Sequence, residues 1–261
     1  MAYIIAVANE KGGVAKTTTT LSLGAALVET GKKVLLVDLD SQANLTLALG
    51  IDVEKVRRSV SNILLENAAP ASILRETGVP GLDIIPSSAE MSMAERFLPI
   101  KQNFEKVLRE SLKKNGNLPH DYIVIDCPPF LGAVTQTAII AADCLLMPTQ
   151  PEYFSVHALR NMLNLIRKIR KDANPDLVYR LLITMCDRRN RSHKEFSEQL
   201  RLTFGKGVLE TVINIDTKLR ESPVAGLPII YYAPKSRSAG EYRALAQEII
   251  HNVKENQQQP V

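Results

Sequence analysis

The segment 9–18, NEKGGVAKTT, has the residue types that bind phosphate groups. It lies between a short apolar run and a threonine-led helical segment. Gly12 and Gly13 permit a tight turn whose backbone N–H groups point inward. Lys16 can reach phosphate oxygens, and the Thr17 hydroxyl, at the start of the helix, can bind Mg²⁺. The sequence therefore predicts a nucleotide-binding phosphate loop at a helix N-terminus.

The loop departs from the ordinary phosphate-loop pattern GxxxxGK(S/T). Glu10 holds the first glycine position and Ala15 holds the second, while an additional lysine, Lys11, precedes the glycines. A glycine-containing turn with incidental lysines is the alternative interpretation. The full string between a strand and a helix favours the phosphate loop. Lys11 lies too far back along the loop to duplicate Lys16 easily.

Acidic residues follow two of the other apolar runs. Asp38 and Asp40 lie at the end of one run, and Asp126 ends another. Parallel sheets bind ligands at the carboxyl edge of their strands, so we expect these residues near the phosphate loop. Asp38 and Asp40 are two residues apart and point the same way if the chain is still extended. A solvated turn is the alternative for this pair.

Apolar runs alternate with helical segments along the chain. The predicted strands are residues 3–9, 33–38, 82–86, 122–126, 144–147 and 178–185. The predicted helices are residues 17–30, 91–112, 156–171, 192–204 and 236–253. Near-continuous apolar strands between helices indicate a parallel sheet with right-handed crossovers. We expect a single α/β domain over residues 1–261, with a doubly wound, mostly parallel sheet flanked by helices and a polar tail that frays from about residue 254.

Composition excludes several other classes of protein. The chain has 261 residues, 45% of them hydrophobic and 23% charged, which is ordinary for a globular protein. The three cysteines are widely spaced, which argues against a disulfide framework or a CxxC zinc site. No apolar run approaches the roughly 18 residues of a membrane span. The absence of Trp argues against a stacking platform for single strands. We expect a cytoplasmic protein.

Positive charge is concentrated in one part of the chain. Residues 1–159 hold 14 Lys and Arg against 17 Asp and Glu, and residues 221–261 hold 4 against 4. Residues 160–220 hold 14 against 7, a net charge of +7 within a total of +4. Such a block is either a footprint for nucleic acid or a solvated helix face.

Several motifs in order along the chain resemble those of the ParA/MinD family of ATPases. KGGVAKTT (11–18) resembles the family's deviant Walker A loop, and VDLDSQAN (37–44) resembles its switch I, usually DxDPQGN. DCPP (126–129) resembles its Walker B and switch II. LRESP (219–223) and PKSRSAG (234–240) are similar to stretches of the ParA branch. The resemblance implies a P-loop NTPase fold, with ATP and Mg²⁺ as cofactors.

The sequence also departs from the family pattern. Ala15 replaces the usual glycine of the phosphate loop, and Ser41 and Ala43 replace the proline and glycine of switch I. These departures indicate a divergent subgroup.

The resemblance implies a role for each site residue. Lys11 would reach across a dimer to the partner's nucleotide, as an arginine finger does. Asp40 would orient the attacking water, and Asp38 would support the metal and the lysines. Thr17 would bind Mg²⁺ directly, and Asp126 would hold it through water. The implied nucleotide contacts are Lys11, Gly12, Gly13, Val14, Ala15, Lys16, Thr17, Thr18, Glu152, Asp187 and Asn214.

Glu152 allows two interpretations. By resemblance it meets the partner's nucleotide and signature lysine. Alternatively, it is an acid at a helix N-terminus that the helix dipole favours.

The resemblance implies an ATPase that dimerises with ATP and then binds non-specific double-stranded DNA, so that it associates with the nucleoid. A partner adaptor with a basic activating segment would stimulate slow hydrolysis, and the cargo would be a plasmid, a chromosome or carboxysomes. The implied DNA contacts are Arg188, Arg189, Arg191, Lys218 and Arg220. One alternative is a MinD-like membrane positioner, but the polar tail has no apolar face for this. The other is a metabolic synthetase or iron–sulfur reductase, and the thiolate pattern of a reductase is missing.

Overall fold

One eight-stranded sheet organises the chain. The computed structural model describes residues 1–114, 118–153 and 155–258. The strand order is β3-β4-β2-β5-β1-β6-β7-β8, and only the β3–β4 pair is antiparallel among these neighbours. The strands are β1 (Tyr3–Val7), β2 (Val34–Asp38), β3 (Arg75–Glu76), β4 (Leu82–Ile85), β5 (Tyr122–Asp126), β6 (Cys144–Thr149), β7 (Val178–Cys186) and β8 (Val208–Asn214). The predicted mostly parallel sheet is confirmed, and β3 and β8 are strands that the sequence patterns did not predict.

Helices cover both faces of the sheet. Every residue of β2 and β5 is buried, and alternate side chains of each strand enter different hydrophobic clusters. Burial on both faces explains why these strands are continuously apolar. The helices are α1 (Lys16–Glu29), α2 (Asn44–Ala48), α3 (Val60–Glu66), α4 (Met91–Phe97), α5 (Val107–Arg109), α6 (Ala133–Ala141), α7 (Ser155–Asp172), α8 (Arg191–Phe204), α9 (Lys218–Glu221), α10 (Ile229–Tyr232) and α11 (Arg237–Gln258).

Two predicted helical boundaries are wrong. The expected helix over residues 91–112 stops at Phe97, and short turns follow it up to α5. Pro99 lacks an N–H and restricts the residue before it, so a regular helix does not continue there. The tail expected to fray from about residue 254 is helical through Gln258, and residues 259–261 lie outside the described part of the chain.

The order of the strands creates the crevice that holds the site. β1 lies between β5 and β6, and the chain leaves it towards β2 on one side and later returns to β6 on the other. Ligands bind at such a switch point, outside the carboxyl ends of the strands. Val7 is in register with Asp126, and Asp126 is in register with Asp38. The phosphate loop and the acidic strand ends therefore meet at one edge.

Helix α1 packs very close to the sheet at Gly24. A Cβ atom there would lie 2.7 Å from Leu36 Cδ2 and 3.3 Å from Leu82 Cδ1. We expect Gly24→Ala to lower the free energy of unfolding, because overpacking costs about 1–3 kcal/mol and exceeds the helix propensity gained, about 1 kcal/mol. Denaturant melts would measure the change.

Gly240 in α11 is the matched control, since it is exposed and a Cβ there meets no atom within 4 Å. Gly240→Ala should raise the free energy of unfolding by about 0.5–1 kcal/mol. A Gly24→Ala protein as stable as Gly240→Ala would contradict the close packing.

Candidate nucleotide-binding site

The phosphate loop between β1 and α1 is fixed by hydrogen bonds to neighbouring strands. The Asn9 amide donates to the Pro148 carbonyl over 2.8 Å, and its side-chain oxygen accepts from the Lys11 N–H. The Thr184 hydroxyl donates to the Val14 carbonyl over 3.1 Å. The loop is thus held by β6 and β7 in its turn conformation, with its N–H groups at the start of α1.

The two alanines that replace family glycines keep a glycine-like backbone. Ala15 has φ of 66° before α1, and Ala43 has φ of 52° before α2. Left-handed backbone at a residue with a Cβ costs roughly 1–2 kcal/mol. The departures from the family pattern therefore add backbone strain at both positions.

A cavity of about 730 Å³ lies over the phosphate loop. Three parts of the chain form most of its walls: the phosphate loop with α1, the switch I segment with α2, and residues 213–224. Pro129 and Met185 also line it. The predicted site residues that line it are Gly12, Gly13, Ala15, Lys16, Thr17, Thr18, Asp40, Asn214 and Arg220. Val14 contributes to the loop from beneath, as a buried core residue.

Lys16 lies at the base of the cavity and is only 7% exposed. Its Nζ donates to the Lys11 carbonyl over 3.0 Å. Burial lowers the pKa of Lys16, while the nearby Asp126, Cys127 and Asp40 raise it. A cation held in this way matches the negative charge of bound phosphate groups.

Thr17 and Asp126 form the part of the site that fits a magnesium ion. The Thr17 hydroxyl donates to Asp126 Oδ2 over 2.6 Å, and Thr20 donates to Oδ1 over 3.3 Å. Burial, together with the charge of Asp38, raises the pKa of Asp126 well above its usual value. A cation near this carboxylate would relieve that penalty. Among the described residues no group of three or more acidic, His or Cys side chains could hold a metal, so phosphate and water would supply the remaining ligands, as Mg²⁺ prefers.

Asp38 and Asp40 were expected to point the same way if the chain stayed extended, and this condition is not met because the chain turns after Asp38. Asp38 is fully buried, and its carboxylate accepts from Thr46 N and Oγ1 and from Asp40 N. The Asp40 N–H folds back onto Asp38, which ends the alternation of the strand. Only Asp40 lines the cavity. Asp38 makes no contact with Lys11 or Lys16, so its expected support of the lysines is not seen.

Lys11 turns away from the cavity and contacts Glu152. The two side chains form an ion pair over 2.7 Å within one chain. Glu152 precedes the first residue of α7, Ser155, whose N–H bonds to the Glu152 carbonyl. A second link lies beside it, where the Asn161 amide of α7 donates to Glu10 over 2.7 Å. The structure thus pairs Glu152 with the predicted signature lysine inside the monomer.

The two residues predicted to contact the base have different positions. Asn214 is buried at the cavity wall, where its amide donates to Glu241 over 2.6 Å and its oxygen accepts from Arg188. Asp187 is not among the residues that line the cavity, and its contact with the base stays a prediction. The Asp187 carboxylate accepts hydrogen bonds from the N–H and the guanidinium of Arg189. These bonds lower the pKa of Asp187 to about 2.

The structure also shows cavity residues that sequence reasoning missed. Met185, two residues before Asp187, has φ of 53° and lines the cavity. Ile213 and Ile215 flank Asn214 there, and Asp216 follows them. Only the apolar pattern of the unpredicted strand β8 could have indicated the isoleucines.

The arginines predicted to bind DNA lie together in the turn from β7 into α8. The side chains of Arg189 and Arg191 are each 91% exposed, and Arg188 is 68% exposed. Each is within salt-bridge distance of a carboxylate of its own chain: Arg188 with Glu241, Arg189 with Asp187, and Arg191 with Glu195. Lys218 and Arg220 lie on α9 and are exposed, and Arg220 also lines the cavity mouth.

The fold and the site together define a P-loop NTPase with a second lysine ahead of its glycines. Comparison with known proteins agrees. The AAA domain family AAA_31 matches residues 2–179. The chain is 41% identical over 256 residues to sporulation initiation inhibitor protein Soj of Bacillus subtilis (strain 168), covering 97% of this chain and 100% of Soj. It is 36% identical over 256 residues to chromosome partitioning protein ParA of Caulobacter vibrioides (strain NA1000 / CB15N), covering 97% and 96%.

Among solved structures, cobyrinic acid a,c-diamide synthase from Mycobacterium smegmatis with bound ADP and magnesium matches with a TM-score of 0.86. It is 33% identical, covering 100% of this chain and 99% of that chain. The chain belongs to the ParA/MinD family of P-loop ATPases, as the sequence motifs predicted.

The burial of Asp38 predicts a particular dependence of stability on pH. Burial raises the pKa of Asp38 to about 6 from an ordinary 3.8, against the hydrogen bonds of Thr46 and Asp40. The folded chain therefore binds this proton more tightly than the unfolded chain, and the stabilisation is lost as pH rises through about 4 to 6. We expect the free energy of unfolding of the wild type to fall over this window relative to Asp38→Asn, by up to about 3 kcal/mol.

Urea melts without nucleotide or magnesium, at several pH values, would measure this difference. Asp52→Asn is the control, because Lys55 lowers the pKa of that exposed carboxyl. A wild-type free energy of unfolding that stays constant or rises with pH relative to Asp38→Asn over this window would contradict the assignment.

Proposed function

We propose that this chain is an ATP-dependent dimerising switch that binds non-specific double-stranded DNA in its ATP state and positions a cargo. The observation that carries this proposal is Lys11. Lys11 belongs to the phosphate loop, but its side chain does not line the cavity of its own chain. It pairs with Glu152 at the surface, where the Lys11 side chain is 27% exposed and the Glu152 side chain is 39% exposed. A loop lysine so placed is available to the nucleotide of a second copy, in the manner of an arginine finger.

The described residues supply most of what phosphoryl transfer needs. Lys16 and the N–H groups at the start of α1 would bind the phosphates of ATP, and Thr17 with Asp126 would hold Mg²⁺. Magnesium, when bound, neutralises charge on the phosphate oxygens. Asp40 is the carboxylate at the cavity that would orient the attacking water. Catalysis of this kind is chiefly positioning and charge stabilisation.

The basic turn supports the DNA-binding part of the proposal. Arg188, Arg189 and Arg191 project together from one turn, within the segment that carries the net charge of +7. One such patch binds phosphates weakly, but two patches on a dimer act at high effective concentration. ATP would then control DNA binding by controlling dimerisation.

The named relatives favour a chromosome as the cargo over a plasmid or carboxysomes. One relative is a chromosome partitioning protein, and the chain matches nearly its whole length. An adaptor with a basic activating segment would stimulate hydrolysis, and the protein would act in the cytoplasm on the nucleoid. No helix in the described ranges is long and apolar enough to cross a membrane.

A metabolic function is the second candidate, because of the structural match to the diamide synthase. Such an enzyme would couple ATP cleavage to amide formation on an organic acid. The two functions are separable, since a synthase would require its acid substrate for turnover and would not respond to duplex DNA.

We expect this protein with ATP and Mg²⁺ to bind arbitrary duplex DNA, and to bind it poorly with ADP. Lys16→Ala should abolish this binding, because phosphate is no longer neutralised, and Asp40→Ala should prolong it, because hydrolysis stops. DNA binding measured by fluorescence anisotropy, with dimerisation followed by light scattering, tests both. Equal DNA binding with ADP and ATP would refute control by the nucleotide.

We expect replacement of Arg188, Arg189 and Arg191 by Ala to remove DNA binding and to flatten its salt dependence, because each phosphate contact adds about 0.9 to the slope. ATP-dependent dimerisation should persist. The control replaces three other exposed cations, Lys55, Arg57 and Arg58, with the same loss of charge. If both triple variants bind DNA equally, the basic turn is not the DNA-binding surface.

A further inference from the structure

A closed ring of hydrogen bonds surrounds the backbone of Asp40. The Asp38 carboxylate accepts from Asp40 N over 3.1 Å and from the Thr46 hydroxyl over 2.7 Å. The Thr46 oxygen accepts from Ser87 N over 3.0 Å, and the Ser87 hydroxyl donates to the Asp40 carbonyl over 2.6 Å. The ring thus starts and ends on Asp40, and it holds both polar groups of that residue's backbone.

The ring lies in the interior, out of reach of water. Asp38, Thr46 and Ser87 are each 0% exposed, whereas Asp40 lies at the boundary with its carboxylate towards the cavity. Buried polar networks whose members are all satisfied are rigid, and one missing member leaves its partners unpaired. The ring therefore fixes where the Asp40 side chain leaves the backbone.

Ser87 joins two parts of the chain that are distant in sequence. It follows β4, while Asp40 and Thr46 belong to the segment between β2 and α2. Neither Ser87 nor Thr46 lines the cavity. Ser87 meets the site through the backbone of Asp40, and Thr46 meets it through Ser87 and the Asp38 carboxylate.

We propose that Ser87 and Thr46 are positioning residues for ATP hydrolysis, which hold Asp40 so that its carboxylate can orient the attacking water. This inference rests on the role given to Asp40 in the proposed function. Without the Ser87 hydroxyl the Asp40 carbonyl keeps only its bond from Ala43 N, and the turn can rotate. A small misplacement of a positioned group costs about 100-fold in rate.

The first test compares Ser87→Ala with Ser88→Ala in full-length protein. Ser88 is the neighbouring buried hydroxyl, but it bonds to Ser59 instead of Asp40. We expect Ser87→Ala to lower kcat for ATP by about 10- to 100-fold. Its affinity for a non-hydrolysable ATP analogue and its thermal midpoint should match those of Ser88→Ala, which should keep the wild-type rate. Equal rates for the two variants would overturn the inference.

The second test uses Thr46, and it covers the case in which Ser87→Ala does not fold. Thr46→Ser keeps the oxygen of the ring, and Thr46→Val keeps the shape but removes the oxygen. We expect Thr46→Ser to retain kcat and Thr46→Val to lose it. Loss in both variants, or in neither, would contradict a role for the hydroxyl.

The third test places Ser87→Ala in the Asp40→Ala background. Because Ser87 acts through Asp40, the double variant should hydrolyse ATP as slowly as Asp40→Ala alone. A further loss would indicate a general structural role and overturn the inference. If Asp40→Ala itself keeps the wild-type rate, the proposed function of Asp40 fails. If Asp40→Ala is inactive and Ser87→Ala is fully active, only the present inference fails.

Discussion

Buried negative charge at the edge of an apolar sheet is the constraint on which this site depends. Asp126 and Asp38 end neighbouring strands in register, and both are fully buried. Their mutual repulsion adds to the cost of burial. Thr17, Thr20 and Lys16 offset part of that cost from α1, so the start of this helix is held against β5. Cations, including magnesium bound to phosphate, would neutralise the part of this buried negative charge that the protein's own groups leave uncompensated.

The phosphate loop shows how such a site tolerates an unusual sequence. Ala15 and Ala43 take the left-handed backbone that glycine adopts without strain. Asn9 and Thr184 donate hydrogen bonds that hold the phosphate loop, and the Asp40 carbonyl accepts from Ala43 N–H in switch I. Strained residues persist where the surrounding structure determines their conformation, and functional loops are common places for them.

Sequence reasoning predicted the parts of the site that depend on local motifs and strand ends. The phosphate loop, Lys16, Thr17 and Asp126 meet as expected, because a parallel sheet brings its carboxyl ends to one edge. Apolar periodicity did not indicate the contacts that Asp38 and Asp187 make. In each case the N–H two residues later bonds to the carboxylate, and neither residue lines the cavity. Such turns are local bonds between an Asp side chain and its own backbone, which periodicity does not encode.

The elements missed by sequence reasoning have physical causes of the same kind. Strand β8 is an edge strand with a mixed burial pattern, so its apolar signal is weak. The break after α4 follows from Pro99, which the apolar periodicity of that region obscured. The ring through Ser87 joins residues 47 positions apart, and only the folded chain brings them together.

Arg220 belongs to two surfaces at once, since it lines the mouth of the nucleotide cavity and lies on the exposed helix α9. Thermodynamic linkage makes the consequence symmetric. If a nucleotide in the cavity changes how this guanidinium meets DNA, then DNA must change the affinity for that nucleotide by the same factor. DNA at this helix would then be an effector of nucleotide binding, just as the nucleotide would be an effector of DNA binding.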